Sequence, residues 1–171
     1  MKSNNIHEQA AGLLGEVDAK VRQLLEKVVG PCVLELVNSE PSHFLDSSDA
    51  KLRFAALAKI SETGVITQAI ADRCEELARE DSDSYVRGGA VICLCKFYRT
   101  TNNHRIGRLF ATIVYDAREK DDVRWVAYDG LGHLGAQLDL THSPVAPGFC
   151  FPADIDWTWV NGFLKQKGNK M

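Results

Sequence analysis

The stretch Asp83-Ser-Tyr-Val86-Arg87-Gly-Gly-Ala90, followed by Leu94, contains the pattern on which the fold depends. Its Asp can accept hydrogen bonds from the first free N–H groups of a helix, so we expect a helix to begin here. The aliphatic, Ala and aliphatic positions at −1, +3 and +7 from the Arg lie on one face of that helix. The small Ala on this face allows a neighbouring helix to approach closely.

The same pattern occurs on both sides of this stretch. Asp49-Ala-Lys-Leu52-Arg53-Phe-Ala-Ala56 with Ile60 precedes it, and Asp122-Val123-Arg124-Trp-Val-Ala127 with Leu131 follows it. The three arginines are 34 and 37 residues apart, and a weaker copy, Asp18-Ala-Lys-Val21-Arg22, lies 31 residues before Arg53. Repetition at this period is typical of proteins whose helix pairs bury their apolar faces by stacking on one another.

The three copies and the amphipathic segments between them predict five helices in antiparallel pairs. They span residues 49–62, 66–79, 84–98, 105–118 and 122–135. One continuous core is expected to contain Leu52, Ala56, Ile60, Val86, Ala90, Leu94, Val123, Ala127 and Leu131. Glycines interrupt two of the helices at 88, 89, 130, 132 and 135, and they either mark tight helix contacts or clear space for a ligand.

The pattern resembles the HEAT-like repeat family, including its phycobilisome-lyase type. The resemblance rests on Leu52-Arg53, Val86-Arg87 and Val123-Arg124 with their Asp and Ala companions, and it covers about residues 46–136. It implies an all-α fold, a right-handed α-solenoid of stacked antiparallel helix pairs. It also implies that the second helix of each pair lines a concave face.

One HEAT-like domain is expected over residues 1–171. Its parts are N-terminal helices over 1–45, repeats over 46–136, a proline-containing loop over 137–153, and a capping helix and tail over 154–171. Asp154 or Asp156 can cap the last helix, whose aromatic residues would cover the open end of the solenoid.

The charge of the chain is slightly acidic and unevenly distributed. Twenty basic and 23 acidic residues give a net charge of −3, which argues against a dedicated nucleic-acid binder. Residues 84–115 contain five basic residues and no acid: Arg87, Lys96, Arg99, Arg105 and Arg108. Either acids from neighbouring helices shield this stretch, or it forms a basic patch that meets an acidic partner.

The motifs that usually carry chemistry do not occur in the sequence. The five cysteines have no regular spacing, and Cys93 and Cys95 would point to opposite sides of a helix, so we expect neither disulfides nor a metal. Phosphate-binding and nucleophile motifs are absent too, which predicts a protein without cofactor that is not an enzyme. No signal-like or membrane-spanning apolar segment occurs, so a cytoplasmic location without membrane contact is expected.

A candidate binding surface follows from the repeat alignment. Trp125, Asp129 and His133 are four residues apart and share one helix face. The matching positions in the earlier copies add further exposed residues, so the predicted partner-binding set is Phe54, Glu62, Lys96, Arg99, Trp125, Asp129 and His133. The alternative surface is the C-terminal aromatic segment with Phe149, Phe151, Trp157 and Trp159.

These observations favour a non-enzymatic module that binds one protein partner. The most specific hypothesis is an immunity protein that neutralises a bacterial toxin domain, because such inhibitors are commonly small, acidic single domains. A regulatory scaffold or adaptor subunit is the alternative. A second alternative is a HEAT-like alkylpurine DNA glycosylase, which the resemblance makes possible and which Trp125 with Asp129 would serve.

Overall fold

The structure is a computed structural model, and it describes residues 40–135 and 150–165. A 3-10 helix, Pro41–Asp46, is followed by six α-helices: α1 (Ala50–Thr63), α2 (Gln68–Glu80), α3 (Ser84–Phe97), α4 (His104–Tyr115), α5 (Asp121–Leu134) and α6 (Trp157–Lys165). The described residues contain no β-strand, which confirms the predicted all-α class. The predicted helices before residue 40, the weak repeat copy and most of the 137–153 loop lie outside the described residues.

The chain divides into two compact units, Met1–Thr63 and Gly64–Met171. The expectation of a single domain over the whole chain stays a prediction. In the first unit, α1 packs against the 3-10 helix, and Leu45 and Phe54 are buried there.

The five predicted helices are present, and their ends differ from the predicted ends by at most three residues. The largest difference is at α4, which ends at Tyr115 and not at Arg118. Asp116 adopts extended backbone there, and its N–H donates to the carbonyls of Thr112 and Ile113. The Asp116 carboxylate then accepts the N–H of Arg118 at 2.9 Å, so the chain turns away from the helix axis.

Each repeat helix begins directly after the residue that lies four positions before the repeat arginine. Asp83 caps α3 by accepting the N–H groups of Tyr85 and Val86, and Asp49 accepts the N–H of Lys51 just before α1. The prediction that the repeat aspartate caps the helix is wrong at α5. The cap residue there is Lys120, which makes no side-chain cap bond. Asp122 lies only two residues before its arginine, inside the first turn of the helix.

The repeat arginines connect the helices to the backbone that precedes them. An Nη1 of Arg53 donates to the carbonyl of Ser47 at 2.7 Å, and an Nη1 of Arg87 donates to the carbonyl of Asp81 at 2.6 Å. Arg124 donates instead from Nε to the carbonyl of Val114 at 3.0 Å. Each arginine thereby satisfies a carbonyl that no helix hydrogen bond would satisfy.

In the described residues of the second unit, 64–135 and 150–165, five helices form a packed group. Here α2 packs on α3, α3 packs on α5, α5 packs on α4, and α4 packs on α6. Eight of the nine predicted core residues are buried, namely Ala56 and Ile60 in the first unit and Val86, Ala90, Leu94, Val123, Ala127 and Leu131 in the second. Leu52 is half-buried, so the prediction that it is buried is wrong.

Two glycines permit close helix contacts in the second unit. A Cβ on Gly130 of α5 would lie 2.5 Å from Sγ of Cys95 and 2.8 Å from the ring of Phe110. A Cβ on Gly107 of α4 would lie 2.7 Å from the ring of Phe163. Of the two explanations left open for the α5 glycines, tight contact is therefore the correct one at Gly130.

The C-terminal helix α6 is held against the second unit by aromatic packing. Its Val160 is fully buried, and the rings of Trp159 and Tyr128 form a T-shaped pair with their centroids 5.4 Å apart. Asp156 caps the helix by accepting the N–H of Trp159 at 2.9 Å, as one of the two predicted caps. Its own N–H donates to the Tyr128 hydroxyl at 3.2 Å.

Candidate functional site

A mixed polar and aromatic surface lies on α5 where the sequence predicts it. Trp125 is half-buried, and Nε2 of His133 lies 3.2 Å from Oδ2 of Asp129, one turn away. The side chains of Asp129 and His133 are 21% and 16% exposed, so the pair is accessible from one side. A polar pair at this spacing adds about 0.2 to 0.5 kcal/mol to helix stability, so the contact fits a simple pair within one helix as well as part of a binding surface.

The loop between α3 and α4 fixes the end of α5 that carries His133. The N–H of Thr100 donates to the carbonyl of His133 at 2.9 Å, and the N–H of Asn102 donates to the carbonyl of Leu134 at 2.8 Å. Both loop residues have positive φ, 59° at Thr100 and 52° at Asn102. This backbone conformation is energetically unfavourable for residues other than glycine. The hydrogen bonds offset that cost and hold the loop and the helix end together.

The α3 residues of the predicted set lie at the end of the helix that packs against α5. Lys96 is half-buried in the last turn of α3, and Arg99 is exposed just after the helix ends. We refer to Lys96, Arg99, Trp125, Asp129 and His133 as the α3–α5 surface. Four of these five residues thus lie on two helices in direct contact, and Arg99 follows shortly after the end of α3.

The two remaining predicted residues lie in the first unit. Phe54 is only 5% exposed, so the expectation that it is presented to a partner is wrong. Position +1 after the repeat arginine is thus buried in α1, whereas Trp125 at the same position in α5 is half-buried. Glu62 is exposed and lies 3.1 Å from Nζ of Lys59.

The alternative aromatic surface separates into a half-buried part, Phe151 and Trp159, and an exposed part, Trp157. Trp159 packs on Tyr128, and the ring of Phe151 lies against the guanidinium of Arg124 at 5.5 Å. Trp157 is 38% exposed and contacts Tyr115, with ring centroids 4.9 Å apart. Tyr115 is the last residue of α4, and no sequence pattern joins it to Trp157; Phe149 lies outside the described residues.

The basic stretch over residues 84–115 is shielded by acids at Arg87 and at Arg105. Arg87 makes a bidentate contact with Glu119 from the connection before α5, and one of its two bonds, Nη2 to Oε1, is 2.7 Å long. Burial opposes ionisation of Glu119, but the hydrogen bonds from Arg87 and from the N–H of Lys120 prevail and lower its pKa. Arg105 contacts Glu75 of α2.

Glu75 is a buried acid of the second unit, with 7% of its side chain exposed. Its Oε1 lies 2.5 Å from Nη2 of Arg105, in a charge contact that is not an aligned hydrogen bond, and its Oε2 lies 3.7 Å from Nη2 of Arg79. Burial raises the pKa of Glu75 despite the attraction of these two arginines.

The cysteines of α3 are unsuited to nucleophilic chemistry in this state. The hydrogen bond between Cys93 and Cys74 favours the protonated Cys93 thiol and, together with burial, raises its pKa. Burial and the charge of Asp129 raise the pKa of Cys95. Both groups are therefore neutral thiols at neutral pH. Among residues 40–135 and 150–165, no three His, Cys, Asp or Glu side chains are grouped closely enough to hold a metal ion.

No protein-family model, curated protein or solved structure matches the chain. None of the helices in the described part of the chain is both long and apolar enough to cross a membrane.

Proposed function

We propose that the protein is a non-enzymatic, protein-binding module built as a HEAT-like, right-handed α-solenoid with α6 as its C-terminal cap. The repeat spacing and the packing of α3 on α5, with α2 on α3 and α4 on α5, support this architecture. The packing of Trp159 and Val160 of α6 on the second unit supports the cap.

The observation that carries the proposal is the half-buried Trp125 beside the Asp129–His133 pair. Tryptophan is among the residues that contribute most to protein interfaces, because it buries a large area with little loss of side-chain freedom. The neighbouring groups of both charge signs, Arg99 and Asp129, can fix the orientation of a partner. The α3–α5 surface is thus the proposed contact surface.

The proposed partner is a single protein in the cytoplasm, in the most specific form a bacterial toxin domain that this chain neutralises. The small size of the chain and its net charge of −3 support that form. A scaffold or adaptor role is distinguished by the consequence of binding. An immunity protein abolishes the activity of its partner at equal molar amounts, whereas an adaptor leaves that activity in place.

The test is capture of the partner with tagged protein, followed by calorimetry with the purified pair. Trp125→Ala is expected to lose about 2 kcal/mol or more of binding free energy, which is roughly 30-fold in Kd. Trp157→Ala removes the same side chain from the rival aromatic surface and is the matched control, expected to bind like the wild type.

Circular dichroism of both variants ensures that a loss of binding is not a loss of folding. If a folded Trp125→Ala variant binds like the wild type while Trp157→Ala does not, the α3–α5 surface is not the contact surface. The Tyr115–Trp157 pair would then take its place.

A further inference from the structure

A second candidate surface lies between α2 and α4, apart from the α3–α5 surface. The two helices border a cavity of about 310 Å³, close to the lower limit of roughly 300 Å³ for ligand pockets. Its walls are formed by Arg79, His104, Arg105, Arg108, Leu109 and Thr112. Three guanidinium groups from two helices therefore border one small cavity.

The guanidinium of Arg105 is held in place before any ligand binds. Its Nη2 lies 2.5 Å from the buried carboxylate of Glu75 and 3.4 Å from the hydroxyl of Tyr98, yet its side chain is 58% exposed. A guanidinium offers five donors in a planar fork, so these contacts leave donors that can bind an incoming carboxylate. Fixing the side chain in advance reduces the entropy that binding must overcome.

The charge balance of the cavity favours an anion. Arg79, Arg105 and Arg108 bring three positive charges to the cavity wall, and the carboxylate of Glu75 lies behind Arg79 and Arg105. The contacts of Arg105 with Glu75 and Tyr98 both involve Nη2, and 58% of the Arg105 side chain stays exposed. An entering carboxylate can therefore share the guanidinium of Arg105 with Glu75.

The surroundings restrict which anion fits. The exposed face of α2 also carries Asp72, Glu76 and Glu80, whose charges repel any anion that extends far beyond the cavity, so a short segment fits better than a long nucleic acid. Leu109 and the aliphatic stems of the arginines offer apolar contact, which suits the stem of an Asp or Glu side chain. The cavity thus matches a short acidic segment better than a phosphate backbone.

We propose that the cavity bordered by Arg79, Arg105 and Arg108 binds a carboxylate-bearing segment of a protein partner. This site lies on α2 and α4 and goes beyond the proposed contact at the α3–α5 surface. Its test uses a peptide and needs no partner, so failure here leaves the Trp125 experiment unaffected, and the reverse also holds.

The experiment is an NMR titration of the whole chain with hexaglutamate in about 0.1 M salt, where screening suppresses long-range attraction. Chemical-shift changes are expected to concentrate on residues 75–79 and 104–112. Arg79→Gln combined with Arg108→Gln is expected to weaken binding about tenfold or more, since it removes two of the three cations. Arg105 is kept because its loss would leave Glu75 without its nearest cation.

The matched control is Arg118→Gln combined with Lys165→Gln, which changes the net charge equally at two exposed residues that do not line the cavity. Its affinity for hexaglutamate is expected to stay within about twofold of the wild type. Equal losses in both double variants would show general charge attraction and would overturn the proposal. The proposal is also wrong if hexaglutamate shifts no residue of α2 or α4, or if an oligonucleotide of equal charge or inorganic phosphate binds more tightly than the peptide.

A second pair of variants tests the shared guanidinium. Glu75→Gln removes the resident carboxylate and is expected to tighten hexaglutamate binding several-fold. Glu76→Gln changes the charge by the same amount at the adjacent, exposed position, whose carboxylate lies 2.7 Å from Arg73. Equal gains in the two variants would contradict competition between Glu75 and the ligand at Arg105.

Discussion

At the scale of single residues, Gly130 illustrates how a position without a side chain determines packing. The α5 backbone passes so close to Cys95 and Phe110 that a methyl group would overlap with both of them. By contrast, a Cβ at Gly88 would lie an ordinary 3.7 Å from Cγ2 of Val123. Both glycines lie in helices, where glycine lowers stability relative to alanine. Comparing the two alanine variants therefore separates the effect of packing on stability from the effect of helix propensity.

Gly130→Ala is expected to destabilise the protein by about 1 to 3 kcal/mol, because the added methyl must displace a buried sulfur and a buried ring. Gly88→Ala is the control and is expected to stabilise it by roughly 0.5 to 1 kcal/mol through the entropy of the unfolded chain. Urea denaturation measures both changes. A gain in stability for Gly130→Ala would mean that α5 does not approach α3 and α4 as closely as described.

At the scale of elements, the repeat arginine is a better marker of helix starts than the repeat aspartate. The cap position lies four residues before the arginine in all three copies, but in the third copy this position is Lys120. Asp122 instead contributes its charge to the first turn of α5, where it interacts with the helix dipole.

Asp83→Ala is expected to cost about 1 kcal/mol of stability, since two N–H groups at the start of α3 lose their acceptor. Asp122→Ala is expected to cost only about 0.3 kcal/mol, the contribution of an exposed charge near a helix N-terminus. Thermal and urea unfolding of the two variants can be compared directly. Equal costs would contradict the assignment of Lys120 as the cap residue.

At the scale of the whole molecule, the buried Glu75 and the half-buried Glu119 give opposite contributions to the pH dependence of stability. Folding lowers the pKa of Glu119, so its charged form stabilises the protein above the unfolded pKa of about 4.3. This contribution is lost as the pH falls through the folded pKa. Folding raises the pKa of Glu75, so its charged form carries a penalty at neutral pH that disappears as the pH falls through its folded pKa toward about 4.3.

Near neutral pH, Glu119→Gln is expected to lower the free energy of unfolding by roughly 1 to 3 kcal/mol, because Arg87 loses its charged partner. Glu75→Gln is expected to leave it unchanged or to raise it. Both differences from the wild type are expected to vanish at acidic pH, at a lower pH for Glu119 than for Glu75. Urea titrations over this pH range test the order, and a destabilised Glu75→Gln protein at neutral pH would contradict it.

The helical class, the five helices and most of the core in the described residues follow from the amino-acid sequence alone. They do so because an amphipathic period and a cap are local features, and because three copies in one register reinforce one another. The contact between Asp129 and His133 is also a local feature, because the two residues are one helix turn apart. Assigning the same role to matching positions of the repeat copies gave wrong predictions at Phe54 and Asp122, since each copy packs in a different environment.

Which side chains from separate helices share a surface depends on the tertiary packing. Arg79 and Arg108 are 29 residues apart in sequence and line one cavity, and Tyr115 meets Trp157 across 42 residues. The partners of Arg87 and Arg105, Glu119 and Glu75, are likewise fixed by how α2 to α5 pack. Sequence periodicity places each group on a helix face, but it contains no information on the distance between faces, which depends on close contacts such as the one at Gly130.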